Sequence, residues 1–202
     1  LITFEEFPKI PRLKRDCVVT EKIDGTNAQV VIARESDRGE ACFNPYERIA
    51  VRDIDGDLFS IRAGSRNRWI TPGADNFGFA AWVNEHADDL IRLGEGRHFG
   101  EWYGAGIQRG YGLAERRFAL FNTARWNPQN PNKPDCCDVV PVLYVGALGN
   151  ADEAINLLKA NGSSIVPGYM NPEGIVIYHS ASRSLFKQLI ENDDVPKGVA
   201  HG

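Results

Sequence analysis

The most chemically pointed feature of the sequence is one lysine set between an apolar run and a carboxylate-glycine turn. It is Lys22, in Glu21-Lys22-Ile23-Asp24-Gly25-Thr26-Asn27. A lysine ammonium is a poor nucleophile until it loses its proton, and partial desolvation or a neighbouring cation exposes the amine. Further along come residue types that handle phosphate and sugar. Arg62, Arg66 and Arg68 sit among small residues and Trp69, in the densest positive patch of the chain. Arginine offers planar, bidentate hydrogen bonding to phosphate, and small neighbours let a ligand approach the backbone. Glu101 lies in an aromatic stretch that runs into a loop with glycines at 104, 106, 110 and 112. Those glycines allow close backbone approach, but their spacing is neither a P-loop nor a dinucleotide fingerprint. Glu173-Gly174 opens an apolar run, and Lys187 is the single lysine in the last patterned segment.

The elements that must position these groups are mostly short strands. Residues 17–20 and 28–33 read as two strands with Asp24-Gly25 in their connection, so Lys22 falls at a strand end beside a turn. A β-hairpin carrying an ordinary surface lysine fits the same pattern. Residues 49–51 form a short strand running into an Asp-rich hairpin turn at 53–56, and Asp53, Asp55 and Asp57 lack the remaining ligands of a calcium loop. In residues 118–122, alternation puts Phe118, Leu120 and Asn122 on one face and Ala119 and Phe121 on the other. Strands are also expected at 174–178 and around Lys187. The periodicity predicts one helix over 76–93, with Asp75 or Asn76 as cap and Gly94 as terminator. A second runs from Asn150, with Glu153 completing a capping box and Gly162 ending it. Residues 125–137, rich in proline and asparagine, read as a loop.

Composition bounds the rest. The 202 residues suffice for one well-buried core, so a single domain over 1–202 is expected. With 43% hydrophobic and 25% charged residues the chain is an ordinary globular one. There is no apolar run of bilayer length and no secretory signal, which makes cytoplasmic the default location and excludes a membrane partner. A net charge of −4 argues against a surface that grips nucleic acid throughout, so nucleic-acid contact must rest on local basic patches. Cys17, Cys42, Cys136 and Cys137 contain no Cys-x-x-Cys pair and are expected as free thiols without zinc.

Lys22-Ile23-Asp24-Gly25-Thr26-Asn27 resembles the Lys-x-Asp-Gly-x-Asn motif of the covalent nucleotidyltransferases, the superfamily of DNA ligases, RNA ligases and mRNA capping enzymes. Ser65-Arg66 resembles the Ser-Arg element that follows the lysine motif. Phe99-Gly100-Glu101-Trp102-Tyr103-Gly104 resembles the Phe-Gly-Glu-x-x-Gly element of RNA ligases related to the nick-sealing phage enzyme. Residues 118–122 resemble the aromatic-x-x-Phe-Asp element, with Asn122 departing from the usual Asp. Glu173-Gly174-Ile175-Val176 resembles the Glu-Gly-x-Val motif, and Lys187 stands at the final Lys-x-Lys motif, where Leu185 and Leu189 flank it and only one lysine is evident. The elements occur in the family's order over nearly the whole chain.

The resemblance implies an α+β nucleotidyltransferase (ligase adenylation) domain, with antiparallel sheets around a nucleotide cleft and flanking helices. It implies an ATP-dependent RNA ligase, or its adenylyltransferase core, acting in RNA repair. Lys22 takes AMP, which passes to a 5′-phosphate end before sealing to a 3′-hydroxyl. Lys22, Lys187 and Arg66 are then catalytic. Glu21, Ile23, Glu101 and Phe121 bind nucleotide with them, Glu101 at the ribose, Phe121 on the base and Glu21 or its backbone at the adenine edge. Glu173 holds magnesium or manganese, and Asn27, Arg62 and Arg68 meet the nucleic acid. Family members usually add a carboxyl-terminal domain that is not evident here, so the resemblance implies that sealing needs a partner protein supplying one, or is weak, or that the chain is only the adenylylating core, with nucleotide loading easier than end joining. A non-sealing module that keeps the pocket to bind nucleic-acid ends is the alternative.

Overall fold

Alternating hydrophobic residues commit each strand to one buried face, and in this chain they build two separate cores. The computed structural model describes residues 2–35, 45–127 and 129–194. In chain order the elements are β1 (Asp16–Lys22), β2 (Thr26–Arg34), β3 (Ala50–Ile54), β4 (Asp57–Ser65), β5 (Trp69–Ile70), α1 (Phe79–Glu85), α2 (Ala87–Leu90), β6 (Gly96–Gly104), β7 (Arg116–Leu120), β8 (Cys137–Val139), β9 (Val142–Ala147), α3 (Ala151–Asn161), β10 (Gly174–His179) and β11 (Ser184–Leu189). The architecture is mixed α+β, mostly sheet with few helices. The chain divides into two compact units, one of Leu1–Lys22 with Pro141–Gly202, the other of Ile23–Val140.

The first unit is a four-stranded antiparallel sheet in the order β11-β10-β1-β9. Cys17, Val19, Ile175 and Ile177 cover one face and meet Ala151, Ala154, Ile155 and Leu158 of α3. Register puts Val18, Thr20 and Lys22 of β1 on the opposite face with Val176, Tyr178, Leu185 and Lys187. Gly162 ends α3 at φ +80°, where its N–H reaches the Leu158 carbonyl. Asn150 is the N-cap residue, but it makes no side-chain cap hydrogen bond, so the expected capping box does not form. The edge strand β9, half-exposed along its length, was legible in no periodic pattern.

The second unit is a seven-stranded sheet ordered β3-β4-β2-β6-β7-β8, with β5 paired to β4. Its core joins Ala28, Val30, Ile32, Ile61, Ala63, Trp102, Phe118 and Leu120 of the sheet to Phe79, Val83, Ala87, Leu90 and Leu93. The helix expected over 76–93 is broken into α1, α2 and a 3₁₀ turn at Ile91–Leu93. His86 makes the break. Its backbone leaves helical geometry at φ −100°, ψ 16°, its Nδ1 lies 2.9 Å from the Trp82 carbonyl, and its ring stacks on Trp82. The Asp75 carboxylate accepts from the N–H groups of Ala80 (2.8 Å) and Ala81 (3.0 Å), which are otherwise without helical acceptors.

The Asp-rich turn is a hairpin as read: β3 and β4 are joined by Asp55-Gly56, both at positive φ, with Asp53 Oδ1 accepting from Gly56 N. β1 and β2, by contrast, form no hairpin. Each is a strand as expected, but they belong to different sheets, so the Lys22 motif connects two sheets rather than two paired strands. The polar stretch at 36–44, with Cys42, and Pro128 of the proline-rich loop lie outside the described residues. Cys17, Cys136 and Cys137 are free. Among the described residues, no helix is long and apolar enough to cross a membrane.

Candidate active site

In the first unit Lys22 closes β1, opposite Gly174 of β10. Its Nζ donates to Glu173 Oε2 at 2.6 Å, and the two side chains are only 23% and 13% exposed. A glycine follows Glu173 for a steric reason. Gly174 has φ +157°, and a Cβ there would lie 2.2 Å from the Gln188 carbonyl oxygen. Lys187 is exposed on β11 opposite Val176, which is opposite Thr20. It therefore shares the Lys22 face of the sheet, one cross-strand row away. Leu189 occupies the row of Lys22 itself, and Leu185 the row of Tyr178 and Val18.

Glu21 points the other way and is 1% exposed. Its carboxylate accepts from Ser163 Oγ (2.6 Å), Ser164 N (2.7 Å) and Ile165 N (3.1 Å), while its own N–H donates to the Pro141 carbonyl. Burial raises its pKa above the usual carboxylate range, and the three donors oppose that shift. This corrects the expected adenine-edge role of its side chain: the acceptors are consumed in tying the loop after α3 to β1.

In the second unit the connection Ile23–Gly25 is held by three groups. Asp24 N donates to Tyr111 Oη (2.8 Å), the Asp24 carboxylate accepts from Arg109 Nε (3.0 Å), and Gly25 N donates to Glu101 Oε1 (3.2 Å). Gly25 is seated so tightly that a Cβ would lie 2.4 Å from the Trp102 carbonyl oxygen. The glycine-rich stretch after β6 thus works as a clamp on the lysine motif. Gly104, Gly106, Gly110 and Gly112 all have positive φ, as does Tyr111 itself, and the loop delivers Tyr111 and Arg109 to Asp24. Sequence reasoning named neither as a site residue. The Asp-Gly turn and the glycine loop are far apart in the chain, and no local pattern links them. Gly25→Ala is expected to lower stability by about 1–3 kcal/mol through overpacking; thermal unfolding checks it, with a melting temperature equal to wild type as the contrary result.

Strand register brings three predicted residues to one face of the seven-stranded sheet. Asn27 is opposite Glu101, Glu101 is opposite Ala119, and Phe121 N donates to the Phe99 carbonyl, continuing the same ladder. Phe121 is 39% exposed there, while Phe118 and Leu120 are buried in the core on the other face. Ile23 is buried.

The arginine patch is divided three ways. At the end of β4, Ser65 closes a tight turn: its N and Oγ both donate to the Arg68 carbonyl, and Arg66 in that turn is exposed. Arg68 is exposed, but its guanidinium donates to the carbonyls of Ala74 (2.8 Å) and Asp75 (3.1 Å). Arg62 is 2% exposed, with its guanidinium on Ser60 Oγ and 3.5 Å from Glu35, and burial lowers its pKa. This corrects the expected nucleic-acid role of Arg62. Register sets Arg62 in the row of Val31 and Arg97, on the face opposite the core residues Ile61 and Ala63, and it is buried there against Ser60 and Glu35, since desolvation demands such partners. Arg62→Ala is accordingly expected to cost roughly 2 kcal/mol of stability by removing the buried guanidinium from Ser60 and Glu35. Denaturant titration measures that cost, and an unchanged midpoint would contradict the structural role.

The mixed α+β architecture is shared with known proteins. The RNA ligase family model matches residues 15–190, and the chain belongs to that family. Among solved structures it is similar to RNA ligase of Naegleria gruberi. A mutant of that protein with ATP and Mn matches at 21% identity and a TM-score of 0.54, over 87% of this chain and 49% of that one. A mutant with AMP and Mn matches at 22% and 0.54, over 88% and 50%. The structure with PPi matches at 22% and 0.54, over 87% and 50%. This chain spans about half the length of the solved structures it matches. No curated protein gives a match.

Proposed function

We propose that the chain is an ATP-dependent RNA ligase or the adenylyltransferase core of one, with residues 1–202 acting as a nucleotidyltransferase domain. The Lys22 amine attacks the α-phosphorus of ATP. An Nζ–P bond forms as the amine gives up a proton to solvent, the bond from that phosphorus to the bridging oxygen breaks, and pyrophosphate leaves with the electron pair, giving lysyl-AMP. AMP then passes to a 5′-phosphate end of RNA, and a 3′-hydroxyl displaces it as the strand is sealed. Lys187 and Arg66 supply fixed positive charge to the phosphate oxygens. Glu101 binds the ribose, Phe121 stacks on the purine, Ile23 lines the nucleotide and Asn27 with Arg68 faces the strand. Repair of broken RNA in the cytoplasm is the setting this activity suits.

A divalent metal, magnesium or manganese, fits Glu173. One well-shielded carboxylate beside the nucleophile matches the way magnesium is held, by one or two carboxylates with water and phosphate oxygens completing the shell. Among the described residues, no group of three or more His, Cys, Asp or Glu side chains offers an all-protein cage. When bound, the metal neutralises charge on the phosphate oxygens.

The observation that supports this reading best is the 2.6 Å contact of Lys22 Nζ with Glu173 Oε2, the two groups to which it gives the roles of nucleophile and metal ligand. The Naegleria gruberi structures, one with ATP and Mn and another with PPi, support the choice of nucleotide and leaving group. The test is incubation with manganese and ATP labelled in either the α- or the γ-phosphate, followed by denaturation. Label retained from the α-phosphate alone is expected. Binding that vanishes on denaturation would instead favour a non-sealing module that recognises nucleotide and nucleic-acid ends.

A further inference from the structure

The open face of the seven-stranded sheet carries a group that the adenylylation chemistry does not use. Arg97 and Phe99 of β6 project on the same side as Glu101, since they are four and two residues from it along one strand. The Arg97 guanidinium lies over the Trp69 ring, 5.5 Å from its centroid, and donates to Gln29 Oε1 at 2.5 Å. Gln29 is fixed in turn: its amide donates to the Ser65 carbonyl (3.3 Å) and its side chain lies over Gly64, where a Cβ would come within 2.9 Å of it. Gln29 is also the register partner of Phe99, which is 46% exposed.

We propose that Arg97, backed by Trp69 and flanked by Phe99, is a stacking shelf for one unpaired base of the RNA strand. A guanidinium over an indole ring has a second face to offer, and unpaired bases stack on arginine planes and aromatic rings. The occupant is a nucleic acid rather than an apolar partner because the shelf is cationic. Among the described residues Arg97 is held by a neutral amide and no carboxylate pairs with it, whereas the strand acids that register places on this face, Asp53, Glu101 and Asp138, are engaged by Gly56 N, Gly25 N and the Tyr103 hydroxyl. Arg66 is exposed one residue beyond Ser65, whose carbonyl fixes Gln29. A Cβ at residue 64 would crowd the Gln29 side chain, whose amide oxygen accepts from Arg97.

The inference rests on the reading of the chain as an RNA-joining protein, and its test is a direct binding measurement that needs no covalent step. Fluorescence anisotropy with a short labelled single-stranded RNA is run on the wild-type chain, Arg97→Ala and Arg97→Lys. Arg97→Lys keeps the charge and removes the plane. Both variants are expected to weaken binding about tenfold, with the Arg97→Lys loss independent of salt. A matched RNA series with one base removed at each position in turn should show a similar loss with wild type at one position, and no further loss there with Arg97→Lys. Arg97→Lys binding as wild type, or indifference to every missing base, overturns the shelf. The missing-base series stands on wild-type protein alone, so it decides the matter even if an Arg97 variant misfolds. Absence of lysyl-AMP with an intact shelf would overturn the ligase reading and leave this site standing.

Discussion

Lys22→Ala is expected to lose covalent AMP labelling entirely, a drop of more than about a hundredfold to the background of unlabelled protein, while retaining its fold. The side chain ends β1 with its amine 2.6 Å from Glu173 and 23% exposed, and the backbone of β1 is secured by its ladders to β9 and β10. Truncation removes the nucleophile without removing a strand. Melting temperature and label are read from the same preparation. Label that survives denaturation in Lys22→Ala would sink the assignment and direct the search to another nucleophile.

Substitution of Glu173 comes next in size. Glu173→Ala is expected to lower metal-dependent labelling by about 10²–10³-fold, the scale on which removal of one electrostatic contributor acts on a developing charge. Asp55→Ala, at the exposed turn between β3 and β4, should leave labelling within about twofold, as surface changes away from a site usually do. Glu173→Gln separates two contributions. It retains an oxygen that can accept from Lys22 Nζ but removes the negative charge that would hold a metal. Labelling by Glu173→Gln as weak as that of Glu173→Ala assigns the loss to charge, and rising metal concentration should then restore it only in part. Equal losses in Asp55→Ala and Glu173→Ala would place the metal in the Asp-rich turn instead.

The elements whose signals lie within a few residues could be read directly. Asp55-Gly56 is a two-residue hairpin loop because both positions take positive φ, which aspartate-glycine accepts. Gly162 and Gly94 stop their helices through their own backbone freedom. The family was legible in the motifs around Lys22, Glu101, Phe121, Glu173 and Lys187, each of which lies within a few residues. What resisted local reading was pairing. β1 and β2 are separated by three residues yet enter different sheets, because the hydrogen-bonding partners of a strand are chosen by distant segments, here β10 and β9 for one and β4 and β6 for the other. A short connection with Asp-Gly is equally compatible with a hairpin.

The fate of individual charges was likewise a tertiary decision. Glu21 and Lys22 are adjacent, and alternation alone sends them to opposite faces of β1, but only the loop at 163–165 makes one face a place where a carboxylate finds three donors. Arg62, Arg66 and Arg68 form one patch in the chain. In the structure the first is buried on Ser60 and Glu35, the second is exposed on a tight turn, and the third binds carbonyls of the segment before α1. The sequence by itself determined the residue types, their order and the local periodicities. The tertiary structure alone decided which charges are internal, and that the glycine-rich loop clamps Asp24 through Tyr111 and Arg109. The physical reason is that burying a charge or fixing a backbone N–H requires a partner from elsewhere in the chain, and the distance between those partners in sequence carries no periodic signal.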